Sequence, residues 1–352
     1  MLSKNNYTEK HIRDLQNISH RDPVLLERVV YAFGLVEALV ESGLPFIFKG
    51  GTCQMLLLDH PMRLSTDIDI VVEPGTDIDE YIRKASVIFP FLDFTEQKRV
   101  GKNNIEKRHF KFIYNSPINE DTFYILLDVL FEKNNYAKVV KREIRNELLL
   151  TEGNNLTANI PSAACLLGDK LTAFAPHTTG IPLKQNKDME VMKQFHDVCS
   201  LLEVFDDFED LCKTFQMVSL SEISYRGKDI SPEDCLMDSI RAAVCIGSRG
   251  ATDEDEYPFF VRGSRDLRTH IFSENFSPEI ASYRAPKIAY LAACMLTGIP
   301  YEKISEDTIL AYGSEKLYHP ILIPLKKVRK ANPEAYAYAI KADRILTEHF
   351  HD

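Results

Sequence analysis

Residues 45–72 leave this chain few folds to choose from. Residues 46–48 form a short apolar strand after Pro45 that delivers Lys49-Gly50-Gly51-Thr52 to a helix expected over residues 52–59. Asp67-Ile68-Asp69-Ile70-Val71-Val72 then returns as a second strand. Two glycines let backbone N–H groups approach an anion closely, a helix N-terminus favours negative charge, and the Thr52 hydroxyl adds a donor. Alternate side chains of a strand share a face, so Asp67 and Asp69 point one way while Ile68, Ile70 and Val72 enter the core. Two carboxylates about 7 Å apart on that face repel each other. A divalent ion that prefers oxygen ligands, such as Mg2+, resolves the conflict.

A third acid stands in the apolar run of residues 123–131, at Asp128. A charge on a buried strand is costly, so it must be paired, metal-bound or at an edge. If that strand lies beside residues 67–72, three carboxylates meet next to a phosphate-binding turn. That set can hold two metal ions and align a triphosphate with an attacking hydroxyl. Each element alone has an ordinary reading: a tight turn, a polar alternation, a salt bridge. Their order along the chain favours chemistry.

The rest of the chain supplies the frame. Asp22-Pro23 opens a helix whose apolar residues recur at helical spacing up to Gly43. Residues 79–89 read as helix, 98–114 as a basic hairpin and 123–131 as a strong strand. Beyond about residue 150 strand signals fade, and helical patterns start at Ser162, Asp188, Pro232, Pro278 and Pro333. Residues 154–161 are the expected joint, and 250–257 an exposed acidic loop. The expectation is an α+β chain, with an α/β domain of mixed sheet over residues 1–155 and a helical domain over 156–352.

The motifs closely resemble those of the AbiEii/MenT toxin-like nucleotidyltransferases, members of the DNA polymerase β-type nucleotidyltransferase superfamily. Lys49-Gly50-Gly51-Thr52 and Arg63-Leu64-Ser65-Thr66-Asp67-Ile68-Asp69 carry the resemblance. Asp169-Lys170-Leu171-Thr172-Ala173 and Lys193-Gln194-Phe195-His196-Asp197 extend it to about residue 205, and residues 282–296 have a related look. The resemblance implies that Gly50, Gly51, Thr52 and Ser65 hold nucleotide phosphates, with Lys49, Arg63 and Lys193 in the nucleotide-binding set. Arg63 could equally brace the turn. It further implies that Asp67, Asp69 and Asp128 bind Mg2+ or Mn2+, that Asp128 assists the acceptor hydroxyl, and that Lys170 and Asp197 complete the catalytic set. The family's Lys-Asp-x-x-Asp helix fits two registers, from Lys187 with Val191 in the last position or from Lys193 with Gln194 in the second. The Lys193 register is preferred because Lys193 and Asp197 are i, i+4 neighbours. His196 reads as structural.

Charge qualifies the partners. The net charge of −10 excludes a general nucleic-acid coat. Yet residues 98–145 hold eleven basic and six acidic residues, with basic runs over 98–111 and 133–145 and another cluster at Lys326, Lys327, Arg329 and Lys330. These are solvated faces or a path for an RNA backbone. Seven cysteines without a Cys-x-x-Cys pair read as reduced, packed thiols, and no apolar run has signal-peptide or membrane-helix length, so a cytoplasmic protein is expected.

The resemblance implies transfer of a nucleoside monophosphate from an NTP to an acceptor hydroxyl with release of pyrophosphate. The acceptor it implies is RNA, with the tRNA 3′ end foremost, and the chain would act as the toxin of a toxin–antitoxin or phage-defence pair with a possible cognate antitoxin. Two other readings stay open: an acceptor hydroxyl on a protein or small molecule, and a catalytically silent nucleotide-binding module.

Overall fold

A computed structural model describes residues 1–58, 60–97, 106–272 and 274–349. The chain starts through α1 (Glu9–Ser19). The Asp-Pro step then does what its chemistry requires: the Asp22 side chain accepts the Leu25 N–H, Pro23 takes the first turn, and left-handed Gly43 ends α2 (Pro23–Ser42). Val29, Val30, Phe33 and Val36 of α2 are fully buried.

Strand β1 (Ile47–Lys49) runs directly into α3 (Gly50–Leu57), which starts two residues before the expected residue 52, and β2 (Ile68–Val72) follows. Next come α4 (Asp79–Ala85), which stops before the expected residue 89, and the strands β3 (Asp93–Gln97), β4 (Lys107–Asn115) and β5 (Thr122–Phe131). The basic hairpin is thus β3 paired with β4, and Lys98, Arg99 and Lys102 lie outside the described residues, as does Asp59. The five strands form one mixed sheet in the order β1-β2-β5-β4-β3, in which β2 and β5 are parallel and the other pairs antiparallel. α2 packs on one face of it, against β2 and β5.

Strand signals do not end at 150. β6 (Val139–Glu143) and β7 (Thr157–Pro161) pair antiparallel, so the expected joint at residues 154–161 is largely a strand. The first compact unit is accordingly Met1–Ser162 together with Thr269–Glu274, rather than residues 1–155. The returning segment is held by backbone: the Leu64 N–H donates to the His270 carbonyl at 2.7 Å and the Phe272 N–H to the Met62 carbonyl at 3.0 Å.

The second unit, Ala163–Arg268 with Asn275–Asp352, is helical among its described residues. It contains α5 (Ala163–Ala173), α6 (Asp188–Leu201), α7 (Phe208–Arg226), α8 (Pro232–Gly247), α9 (Tyr257–Leu267), α10 (Pro278–Thr297), α11 (Glu306–Tyr312) and α12 (Pro333–His349). α10 packs between α8 and α12, and α5 against α6 and α7. None of the seven cysteines is in a disulfide, and burial pushes the Cys212 thiol up to about 11 and the Cys245 and Cys294 thiols up to about 12. No described helix is long and apolar enough to cross a membrane.

Candidate active site

The turn and the aspartates of the first unit are fitted to one another. Lys49 ends β1 in extended backbone, and no side chain caps the first turn of α3, which leaves that helix start suited to an anion. Gly50 has φ +84°, and a Cβ there would collide with Asp69 Oδ2. A Cβ on Gly51 would stand 2.5 Å from Arg63 Nη2 and 2.7 Å from Ser65 Oγ. Gly50 is thus demanded by its backbone and by the Asp69 carboxylate, while Gly51 lies against the movable ends of Arg63 and Ser65. The Arg63 guanidinium is buried and donates through Nη1 to the Leu64 carbonyl at 3.3 Å, so it braces the turn. The Lys49 ammonium lies 5.9 Å from the centre of the Tyr136 ring.

Thr52 corrects an expectation. It is fully buried, and its hydroxyl donates to the Asp67 carbonyl at 2.7 Å. A hydroxyl has one proton, and here that proton ties α3 to the start of β2 rather than facing an anion.

The register of β2 and β5 places Asp69 opposite Asp128. Ile68, Ile70, Leu127 and Val129 fill the buried face. The aspartates take the other, half-open face, and Asp67 precedes β2 exposed. Asp128 is not a charge on a doubly buried strand: burial alternates along β5, and the Asp128 side chain is 41 % exposed.

Two further residues meet these acids, and the motifs did not name them. His109 of β4 lies opposite Asp128, with Nδ1 2.6 Å from Oδ1. Arg28 of α2 reaches to 3.9 Å from Asp67 Oδ1. The β4–β5 hairpin register was the sequence signal for His109; Arg28 carried none.

The three aspartates supply only carboxylate oxygens, which suits Mg2+ or Mn2+. Among the described residues no three acidic, His or Cys groups are gathered tightly enough to hold an ion as they stand.

In the second unit, Lys170 of α5 and Asp197 of α6 are both buried, with Nζ 2.8 Å from Oδ2. Gln194 Oε1 lies 3.4 Å from the same ammonium. Residues 194 and 197 of the Lys193 register thus converge on Lys170. Asp188, from the other register, is buried against Arg262 at 2.7 Å. Lys193 itself pairs with Glu190 at 2.9 Å. His196 is fully buried and stands edge-on to Phe276, a packing position. Arg108 of the basic hairpin is neutralised by Glu96 of β3 at 2.8 Å and Asp79 of α4 at 2.7 Å.

Residues 35–256 match the sequence profile of the family described as nucleotidyl transferase AbiEii toxin, type IV TA system. The chain belongs to the AbiEii nucleotidyltransferase toxin family. It is accordingly a nucleotidyltransferase, of a family named for type IV toxin–antitoxin systems. Similar solved structures include JHP933 from Helicobacter pylori, at 13 % identity and a TM-score of 0.43 over 78 % of this chain and 94 % of that one. A candidate nucleotidyltransferase from H. pylori is similar at 12 % identity and a TM-score of 0.44, over 78 % and 96 %. An antigenic nucleotidyltransferase-like protein from Paracoccidioides brasiliensis shares 15 % identity at a TM-score of 0.34, over 55 % and 93 %. No curated protein sequence matches the chain.

Proposed function

We propose that this AbiEii-family chain transfers a nucleoside monophosphate from an NTP to a hydroxyl of RNA, foremost a tRNA 3′ end, as the toxin of a pair with a cognate antitoxin in the cytoplasm. The observation that carries the chemistry is the pairing of Asp69 with Asp128 on parallel strands, with Asp69 held against Gly50 at the start of α3. Acids that would otherwise repel are thereby gathered beside a helix start that favours phosphate.

In this reading Asp67, Asp69 and Asp128 hold Mg2+ or Mn2+, which when bound neutralises phosphate charge and lowers the pKa of the acceptor hydroxyl. The backbone of Gly50 and Gly51, with Ser65, positions the triphosphate. Arg63 and Thr52 keep that turn in shape from behind. Asp128 accepts the proton of the attacking hydroxyl as its oxygen bonds to the α-phosphorus and pyrophosphate leaves. Lys170, held by Asp197 and Gln194, keeps a third N–H for the catalytic role that the resemblance gives it.

The test is incubation of the full chain with each α-32P-labelled NTP, Mg2+ or Mn2+ and total cellular RNA. The expected result is label on RNA that RNase removes, lost in Asp67→Ala and Asp69→Ala. Label that survives RNase and yields to protease moves the acceptor to a protein. Full transfer by Asp67→Ala would overturn the mechanism.

A further inference from the structure

A cavity of about 500 Å3 opens in the first unit between the C-terminal end of α3 and the chain that leaves β6. It lies at the opposite end of α3 from Gly50 and Gly51, roughly 12 Å away along an eight-residue helix. Its polar wall mixes the cations Lys141, Arg142 and Arg145 with the acids Glu143 and Glu147. Arg142 donates to the carbonyls of Leu56 and Leu57, each at 3.3 Å, and so fixes a guanidinium at the wall while capping α3. The two lining carboxylates are engaged: Glu143 lies 3.2 Å from Arg145, and Glu147 3.0 Å from His60.

Two lining donors have no such partner. Among the described residues, Lys141 makes no side-chain hydrogen bond or ion pair. Asn146 accepts the Leu148 N–H at 2.9 Å through Oδ1, which fixes the amide's orientation and leaves Nδ2 buried with no acceptor. A buried N–H left unsatisfied costs about 1–3 kcal/mol. One oxyanion would answer both groups, accepting from Nδ2 and offsetting the Lys141 charge.

The lining carries no aromatic ring on which a base could stack. Residues 133–145, the segment that includes the cavity's cations, carry five basic residues and one acid. Cations and amides without stacking platforms suit the sugar–phosphate backbone rather than the bases. Resting on the RNA-acceptor reading above, we propose that this cavity is a phosphate subsite that grips the backbone of the acceptor RNA at a distance from the transferring centre.

The test is fluorescence anisotropy of a 5′-fluorescein-labelled single-stranded RNA 12-mer against the full chain, across a series of salt concentrations. Lys141→Ala removes an exposed cation, and Asn146→Asp keeps the acceptor that holds Leu148 while replacing the donor. Each is expected to raise the RNA Kd about 3- to 10-fold; Lys141→Ala should also reduce the slope of log Kd against log salt by about 0.7, the value for one single-strand phosphate contact. NTP affinity and thermal midpoint should stay at wild-type values, and Lys10→Ala, an equal charge loss on exposed α1, should leave RNA binding unchanged. Unchanged RNA binding in both cavity variants overturns the inference, as does an equal loss in Lys10→Ala. A wild type that labels RNA while both variants bind it normally sinks the subsite alone. A wild type that neither labels nor binds RNA sinks the acceptor reading and the subsite together. Loss of inorganic phosphate or NTP binding with RNA binding intact would assign the cavity to a free anion and overturn the RNA subsite.

Discussion

His109 Nδ1 and Asp128 Oδ1 lie 2.6 Å apart, across the β4–β5 register that sets the two residues opposite each other. The imidazole is mostly buried, with 13 % of its side chain exposed, whereas the carboxylate is 41 % exposed. One oxygen of Asp128 is thus held by a fixed neighbour, and the other is left to the solvent side. A carboxylate that must accept a proton or ligate an ion gains from having its rotation stopped in this way. His109→Ala is expected to lower kcat for nucleotide transfer about 10- to 100-fold, with KM for NTP unchanged. His109→Asn, whose amide can reach the same oxygen, should recover part of the rate. Initial rates of labelled NMP incorporation check this; a change confined to KM would place His109 in nucleotide binding instead.

Gly50 and Gly51 give a sharper expectation. An added methyl at Gly50 meets both an unfavourable φ and the Asp69 carboxylate, and one at Gly51 meets Arg63 and Ser65. Gly51→Ala is expected to abolish measurable transfer and NTP binding while costing only a few degrees of Tm, because the flexible ends of Arg63 and Ser65 can yield. Gly50→Ala should cost more stability, since about 1 kcal/mol of backbone strain adds to the clash. Isothermal titration with a non-hydrolysable NTP, alongside thermal melts, separates the two effects.

Much of this centre was legible in the sequence because its signals are local. Strand, glycine turn, helix and Asp-x-Asp follow one another within 30 residues, and two-residue alternation fixes which way Asp69 faces. What escaped depends on long-range placement. Arg28 reaches Asp67 only because α2 lies on this sheet. Thr52 looked like an anion donor until the position of the Asp67 carbonyl was known. Lys193 and Asp197 share a helix face, but Lys170, 27 residues before Asp197, offers the buried acid a closer partner than its own helix does. Residues 154–161 looked like a joint because strand β7 is short and its partner β6 is basic rather than apolar.

The Lys170–Asp197 pair separates a structural from a chemical role. Removing one partner leaves an uncompensated buried charge, which typically costs about 3–5 kcal/mol, whereas replacing both with apolar side chains is often neutral. Lys170→Met and Asp197→Leu are each expected to destabilise the chain strongly, and the double substitution to restore most of the lost stability. Transfer should remain absent in the stable double variant, because the third ammonium N–H is gone. Recovery of transfer along with stability would reduce the pair to a packing device. Denaturant titrations and the labelled-NTP assay on the same preparations decide it.

His177 sets an alkaline limit on the second unit. Its Nδ1 lies 2.6 Å from Asp238 Oδ1 and its Nε2 2.8 Å from Glu256 Oε1. The hydrogen bond to Asp238, reinforced by that to Glu256 against the cost of burial, pushes the imidazole up to about 9. A histidine whose pKa is higher folded than unfolded stabilises fully below its unfolded value of about 6.5, and the gain disappears as pH climbs through the folded value. Because the ring is about half exposed, solvent screening holds the contribution to about 1 kcal/mol or less. The chain should therefore lose stability between pH 6.5 and 9 relative to His177→Gln, whose side chain does not titrate. Glu256→Gln, lacking one of the two acids, should show a smaller loss that is complete at lower pH. Thermal melts of the three proteins from pH 6 to 10 test the sign directly, and parallel curves for wild type and His177→Gln would show that the clamp contributes nothing to folding.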